Sequence, residues 1–157
     1  MGSKKKNLKF FLFGVLILGL LVAFIAWTFI KWPPVSEMTT SEVYLGGHPV
    51  KVEIAQTPYQ LYHGLSKHPE ICTDCGMLFI FPDLDKRTFV MREMFFPLDI
   101  VFSAQGQVVK IYENLSPEGA NPQNLYSSEV PADLVLEINA GQLKNWGIKV
   151  GDQLIIK

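Results

Sequence analysis

Gly76-Met-Leu-Phe-Ile-Phe81, Pro82-Asp-Leu-Asp-Lys86 and Arg87-Thr-Phe-Val-Met-Arg-Glu-Met-Phe-Phe-Pro-Leu-Asp-Ile-Val-Phe102 form one continuous stretch, and its reading decides the fold. Two apolar, aromatic-rich runs bracket a Pro/Asp segment, which predicts buried strands joined by a surface loop at 82–86. Outside the 82–86 segment, four charged residues, Arg87, Arg92, Glu93 and Asp99, lie inside this core block. Ionised groups are seldom fully buried without a partner, because desolvating them costs several kcal/mol or more. Arg92 and Asp99, each flanked by large apolar residues, are the ones a function would use.

Upstream, the order of elements is legible from turn chemistry. Val43-Tyr44-Leu45, Gly46-Gly47 and the alternating His48–Ile54 read as a hairpin with a Gly-Gly turn. Thr57-Pro58-Tyr59-Gln60 reads as a capped helix start: Thr57 is the N-cap, Pro58 occupies the first turn and Gln60 completes a capping box. Gly64 ends that helix after little more than two turns.

Downstream, Gln107–Tyr112 alternates as a strand entered through Ala104-Gln105-Gly106. The segment Asn114–Pro131 holds Pro117, Gly119, Pro122 and Pro131 and reads as a long loop, a candidate lid over a binding pocket. Leu134–Ile138 resumes as a strand, Asn139-Ala140-Gly141 opens a short helix through Trp146, and two strand pieces around Gly151-Asp152 close the chain. Short strands, two short helices and no room for a series of crossover helices give a mainly β (α+β), small barrel-like domain over 43–157.

Before the domain, Phe10 to Ile30 is a run of 21 residues without charge. At about 1.5 Å per helical residue it matches a hydrocarbon core of ~30 Å, which predicts one transmembrane helix over 10–31. Lys4, Lys5, Lys6 and Lys9 precede it and Lys31 alone follows at once, so residues 1–9 form a cytoplasmic basic tail. The expected location is therefore the cell membrane, single-pass, with the C-terminal domain extracytoplasmic and 32–42 as linker. A cleaved signal peptide shares the charged start. Its apolar centre is usually only ~7–15 residues long, however, and no small-x-small site follows here, so an anchor is preferred.

Residues 1–31 hold five of the 14 basic residues and none of the 15 acidic ones. The remainder carries nine against 15, a formal charge of −6, which argues against a nucleic-acid partner. The expected partners are membrane lipid, through residues 10–31, and a membrane protein alongside that helix. Gly14 and Gly19 would permit close approach there, although not at the spacing of the glycine dimer motif.

The ordered blocks Glu53-Ile54-Ala55 with Thr57, Gly64-Leu65, Gly76–Phe81, Phe89 with Met91-Arg92, Pro97–Ile100 with Phe102, Leu136–Gly141 and Gly147–Asp152 resemble domain-of-unknown-function family 192, an uncharacterised prokaryotic family. The resemblance runs from Val43 to Ile156 and implies a compact β-rich domain, often exported, with no agreed activity. This sequence departs from the family's common pattern at Ser66, Val90 and Glu93-Met94, where the family more often has Met, Trp and an Asn-Thr pair.

Three sets of residues are candidates for chemistry. Cys72-Thr73-Asp74-Cys75 holds the two cysteines of the chain. Outside the cytoplasm a disulfide is the default, ahead of metal ligation, a redox pair and free thiols, and Asp74 opposes a lowered thiolate pKa. Soft metal ligation would add His63, His68, Met77, Met91 and Met94, although buried Met residues also serve as core filler. An acid-base set would draw on Glu53, Asp99 and Glu137 with Arg92 as charge partner. Its plainer reading is an ion pair of Arg92 with Asp99 or Glu137.

No activated nucleophile is evident, and Asn114-Leu115-Ser116 is a short pattern that arises by chance. The expectation is thus a binding or accessory module with no catalytic residue, no metal and no cofactor. Its ligand pocket would be lined by Arg92, Asp99 and Glu137. The alternatives are a metal-binding or thiol-redox protein using Cys72 and Cys75, or a cell-envelope hydrolase using paired carboxylates.

Overall fold

The structure is a computed structural model that describes residues 38–157. The basic tail, the apolar span and most of the linker lie outside the described residues. Among those described, no helix is long and apolar enough to cross a membrane.

β1 (Thr40–Leu45) and β2 (His48–Ala55) form the expected hairpin, antiparallel from Thr40 against Glu53 to Leu45 against His48. The domain therefore starts earlier than its apolar pattern suggests. Thr40, Ser41 and Glu42, the end of the expected linker, already pair with β2, and Met38 packs against the core.

α1 (Pro58–His63) has the capping box read from the sequence: Thr57 Oγ1 accepts from Gln60 N–H and Gln60 Oε1 accepts from Thr57 N–H. It ends at Gly64, where φ is +51° and ψ −136°, a positive-φ conformation other than the left-handed helical one. α1 lies in the connection between β2 and β3 (Cys75–Phe89), which pair in parallel and so need a crossover rather than a tight turn.

β4 (Leu98–Ala104), β5 (Gln107–Leu115) and β6 (Tyr126–Asn139) follow, with α2 (Gln142–Trp146) and β7 (Leu154–Ile156). All seven strands make one sheet in the order β5-β4-β6-β3-β2-β1-β7. The two ends of that order meet: Gln107 bridges Gln153, Asp152 O accepts from Val108 N–H at 2.8 Å, and Gly106 O accepts from Leu154 N–H at 2.9 Å. The sheet is therefore curled into a barrel-like form, with its edges paired rather than left as open templates.

Period-two alternation sorts β3, β4 and β6 onto two cores. Leu78, Val101, Leu136 and Ile138 join Val43, Leu45, Val50 and Val52 on one face, with Leu143 of α2. Met77, Phe79, Ile100, Phe102 and Val135 join Leu65, Met91 and Leu98 on the other. Strands buried on both faces read as unbroken apolar runs, which is why Gly76–Phe81 and Leu98–Phe102 show no alternation.

Three expectations are corrected. Pro82–Lys86 is not a surface loop: β3 continues through it, with register shifts against β6 between Ile80 and Asp85 and between Lys86 and Thr88. Bulges of this kind are where a strand tolerates Pro, and they let an exposed polar stretch stay paired. The Asn114–Pro131 loop is shorter than predicted, because Tyr126 and Ser127 pair with Phe89 and Thr88, leaving 116–125 between strands. Lys149-Val150 forms a turn, so a single strand, β7, closes the chain.

Candidate functional site

The antiparallel register sets Glu137 opposite Met77 on one side and Ile100 on the other. Its side chain thus belongs to the apolar face that carries Phe79, Phe102 and Leu65. The residue is 5 % exposed, and Oε2 has no hydrogen-bond partner among the described residues. Desolvation, with nothing to offset it, pushes the carboxyl pKa from 4.5 up to about 8. At neutral pH Glu137 is consequently an uncharged acid, able to donate one hydrogen bond and accept another.

The chain leaving α1 passes directly over this carboxyl. A Cβ at Gly64 would meet Phe79 Cζ at 2.9 Å and Glu137 Oε2 at 3.8 Å. Only glycine fits the close approach and the positive φ together. Gly64→Ala is expected to destabilise the domain by about 2 kcal/mol, the usual scale for a non-glycine residue in a strained conformation, as read from the urea midpoint of the full chain. An unchanged midpoint would show that the passage over Phe79 is slack. Gly76 makes a similar approach on β3, where an added Cβ would collide with the Glu137 carbonyl oxygen.

Between α1 and the sheet is a cavity of about 410 Å3 whose walls include Glu137, Phe79, Phe81, Phe89, Met94 and the Gly64–Ser66 segment. Lys86, Arg87 and Arg92 also line it. Arg87 is engaged: Nη2 donates to Asp83 Oδ1 at 2.8 Å, Nε donates to Ala132 O at 3.1 Å, and the guanidinium lies 4.1 Å from the Phe81 ring centroid. Arg92 donates from Nη2 to Tyr62 O at 2.8 Å and lies 4.2 Å from the Tyr62 ring centroid. Neither Arg92 nor Lys86 has a carboxylate within salt-bridge distance among the described residues.

Of the three residues expected to line one pocket, the structure brings together two. Arg92 and Glu137 share the cavity, whereas Asp99 does not line it. Asp99 pairs with Ile138 rather than Glu137 and faces the other core, where Oδ1 accepts from Asn114 N–H at 2.8 Å and Oδ2 from Leu143 N–H at 2.9 Å. Its carboxylate is consumed in holding the first turn of α2, which has no capping side chain of its own. The expected ion pair of Arg92 with Asp99 or Glu137 is absent among the described residues.

The 116–125 segment is not the cavity's lid. Glu118 N–H donates to Met91 O and Gly119 O accepts from Glu93 N–H, so it braces the backbone around Arg92 from outside. Segment 64–66 forms part of the cavity wall, fastened where Ser66 Oγ donates to Arg92 O at 2.8 Å.

The other candidates are dispersed. Cys72 and Cys75 are disulfide-bonded, and no free cysteine is present among the described residues. Their turn is tied to the region of α2, since Asn139 Nδ2 donates to Cys72 O at 2.8 Å and Gln142 Nε2 to Thr73 O at 3.0 Å. Met77, Met91 and Met94 are buried in the apolar core. His63 is exposed against Tyr59 and Tyr62, and His68 Nε2 lies 3.9 Å from Glu53 Oε2. Among the described residues no group of three or more His, Cys, Asp and Glu side chains gathers in a metal-holding arrangement. Nor do the three carboxylates gather: Glu137 alone of Glu53, Asp99 and Glu137 lines the cavity.

Lys86 lies inside the segment whose composition is that of a loop, and Phe81 and Phe89 stand on either side of it. Carrying β3 through Pro82 puts Lys86 and Phe89 on the same strand as Phe79 and Phe81. Ser66, Val90 and Met94, all departures from the family's common residues, line the cavity too, while Glu93 points to Lys67 at 3.3 Å.

Comparison with known proteins places this architecture. A search of curated proteins found no match. Among solved structures, a protein of Sinorhizobium meliloti 1021 described as a "putative transcription regulator" is similar at 32% identity and a TM-score of 0.71. The alignment covers 76% of this chain and 95% of that one. A protein of unknown function from Novosphingobium aromaticivorans DSM 12444 is similar at 32% identity and a TM-score of 0.70, over 78% of this chain and 89% of that one. The family DUF192, described as an uncharacterised ACR, matches residues 41–156. With that span and this fold, the chain belongs to domain-of-unknown-function family 192.

Proposed function

We propose that this protein is a membrane-anchored, extracytoplasmic binding module that takes a small ligand into the cavity beneath α1. The observation that carries the reading is the Glu137 carboxyl: enclosed, without a partner at Oε2, and set in the wall of an open cavity. A buried polar group left unpaired costs roughly 1–3 kcal/mol, and a ligand that pairs with it recovers that cost on binding. Binding is preferred to catalysis because Glu137 is the one carboxyl among the cavity's described lining residues, and the Ser66 hydroxyl there is spent on the Arg92 carbonyl. A glycosidic hydrolase would need a second carboxyl at roughly 5–9.5 Å.

The location is supported by the uncharged run 10–30 and the lysines before it. The full chain, purified from membranes into lipid nanodiscs, is expected to carry a small-molecule adduct in native mass spectrometry. Glu137→Leu is expected to lose it. Membrane subunits alongside the anchor would appear in the same preparation. Protease added to spheroplasts is expected to degrade the domain. Identical spectra for wild type and variant would overturn the ligand reading, and a protected domain would overturn the location.

A further inference from the structure

We propose that the ligand of this cavity is an organic anion with an aromatic or aliphatic body, its negative head met by the Arg92 guanidinium and the Lys86 ammonium; this rests on the cavity being a ligand site. The charges lining the cavity are unbalanced. Arg87 is neutralised by Asp83 at 2.8 Å, but Arg92 and Lys86 have no carboxylate in range among the described residues. Arg92 spends one donor on the Tyr62 carbonyl, and a guanidinium has five, so its fork remains available to a carboxylate or phosphate.

The acidic group on the wall, Glu137, does not restore the balance, because burial with Oε2 unpaired raises its pKa to about 8 and keeps it mostly protonated at neutral pH. It contributes hydrogen bonding rather than charge, and suits an uncharged hydroxyl or carbonyl on the ligand's body. Phe79, Phe81, Phe89 and Met94 supply the apolar wall that such a body needs. Phe89 stands edge-on to both Phe79 and Phe81, with ring centroids 4.8 and 6.5 Å apart, so the three rings are packed on one another and form a continuous aromatic wall against which a ligand's ring can lie. A cationic ligand would meet two uncompensated like charges.

The test uses three probes of one skeleton: para-hydroxyphenylacetate, tyrosol and tyramine, which present an anion, a neutral hydroxyl and a cation. Each is titrated against the full chain in nanodiscs by ligand-observed saturation-transfer NMR at pH 7, with empty nanodiscs as the blank. The acid is expected to bind at least about tenfold more tightly than tyrosol, with tyramine weakest, as one charge-assisted pair would provide. Arg92→Gln and Lys86→Gln are each expected to weaken the acid several-fold. Tyrosol or tyramine binding as tightly as the acid would overturn the anion inference while the cavity remained a ligand site. No binding by any of the three would overturn that reading along with it.

Discussion

Glu137→Gln is expected to flatten the pH dependence of stability and to make the domain more stable than wild type at neutral pH and above. The folded carboxyl has its pKa raised from 4.5 to about 8 by burial, so between those values the folded state holds a proton that the unfolded chain has released. Stability falls with pH wherever the folded state binds more protons. The contribution of this group is therefore fully present below about 4.5 and is lost progressively as pH rises to about 8.

At 1.36 kcal/mol per unit of pKa, wild type should lose about 2–4 kcal/mol between pH 5 and pH 8 that the variant keeps. The lower end allows for water entering the open cavity. Gln has nearly the same shape and leaves the packing against Met77 and Ile100 in place, so the comparison isolates the charge. Urea unfolding of both full-length proteins across that range, followed by tryptophan fluorescence, is the measurement. Parallel stability curves would mean that Glu137 is ionised in the native state, and the uncharged-acid reading of the cavity would fail.

Asp99→Ala is expected to have the opposite sign and a larger effect, a loss of about 4 kcal/mol. Each carboxylate oxygen of Asp99 accepts one backbone N–H, from Asn114 at the end of β5 and from Leu143 in the first turn of α2. Hydrogen bonds to a charged group contribute about 1.5–3 kcal/mol each, and their removal leaves the buried Leu143 N–H unpaired. Asp99→Asn should recover little, because its amide nitrogen would face an N–H. The urea midpoint reports the loss. Protection of the Leu143 amide from hydrogen exchange reports its cause, and is expected to drop in both variants. Retained protection with lowered stability would assign the effect to the space left by the side chain rather than to the cap.

Local chemistry was readable wherever a structure is held by residues near in sequence. The Thr57/Gln60 capping box, the Gly46-Gly47 turn and the stop at Gly64 all involve groups within a few positions of one another, and each forms at its expected place, although the helix spans only six residues and Gly64 takes a positive φ outside the left-handed helical region. The course of β3 through Pro82–Lys86 was not readable. Its composition is that of a turn, and what keeps it extended is Ala132 and Pro131 on β6, far along the chain. Tyr126–Pro131 was lost to a supposed loop for the same reason.

The site shows the division most sharply. Leu98-Asp99-Ile100 and Leu136-Glu137-Ile138 are nearly the same tripeptide, and in one dimension nothing separates their carboxylates. Pairing of β4 with β6 offsets them by one residue, Asp99 against Ile138 and Glu137 against Ile100, and in a pleated sheet an offset of one is a change of face. Composition and alternation alone established a β-rich domain behind an apolar N-terminal run, with acids and an arginine inside its core. Strand register, which is set by long-range hydrogen bonding, turned one acid toward two backbone amides and left the other unpaired beside a cavity.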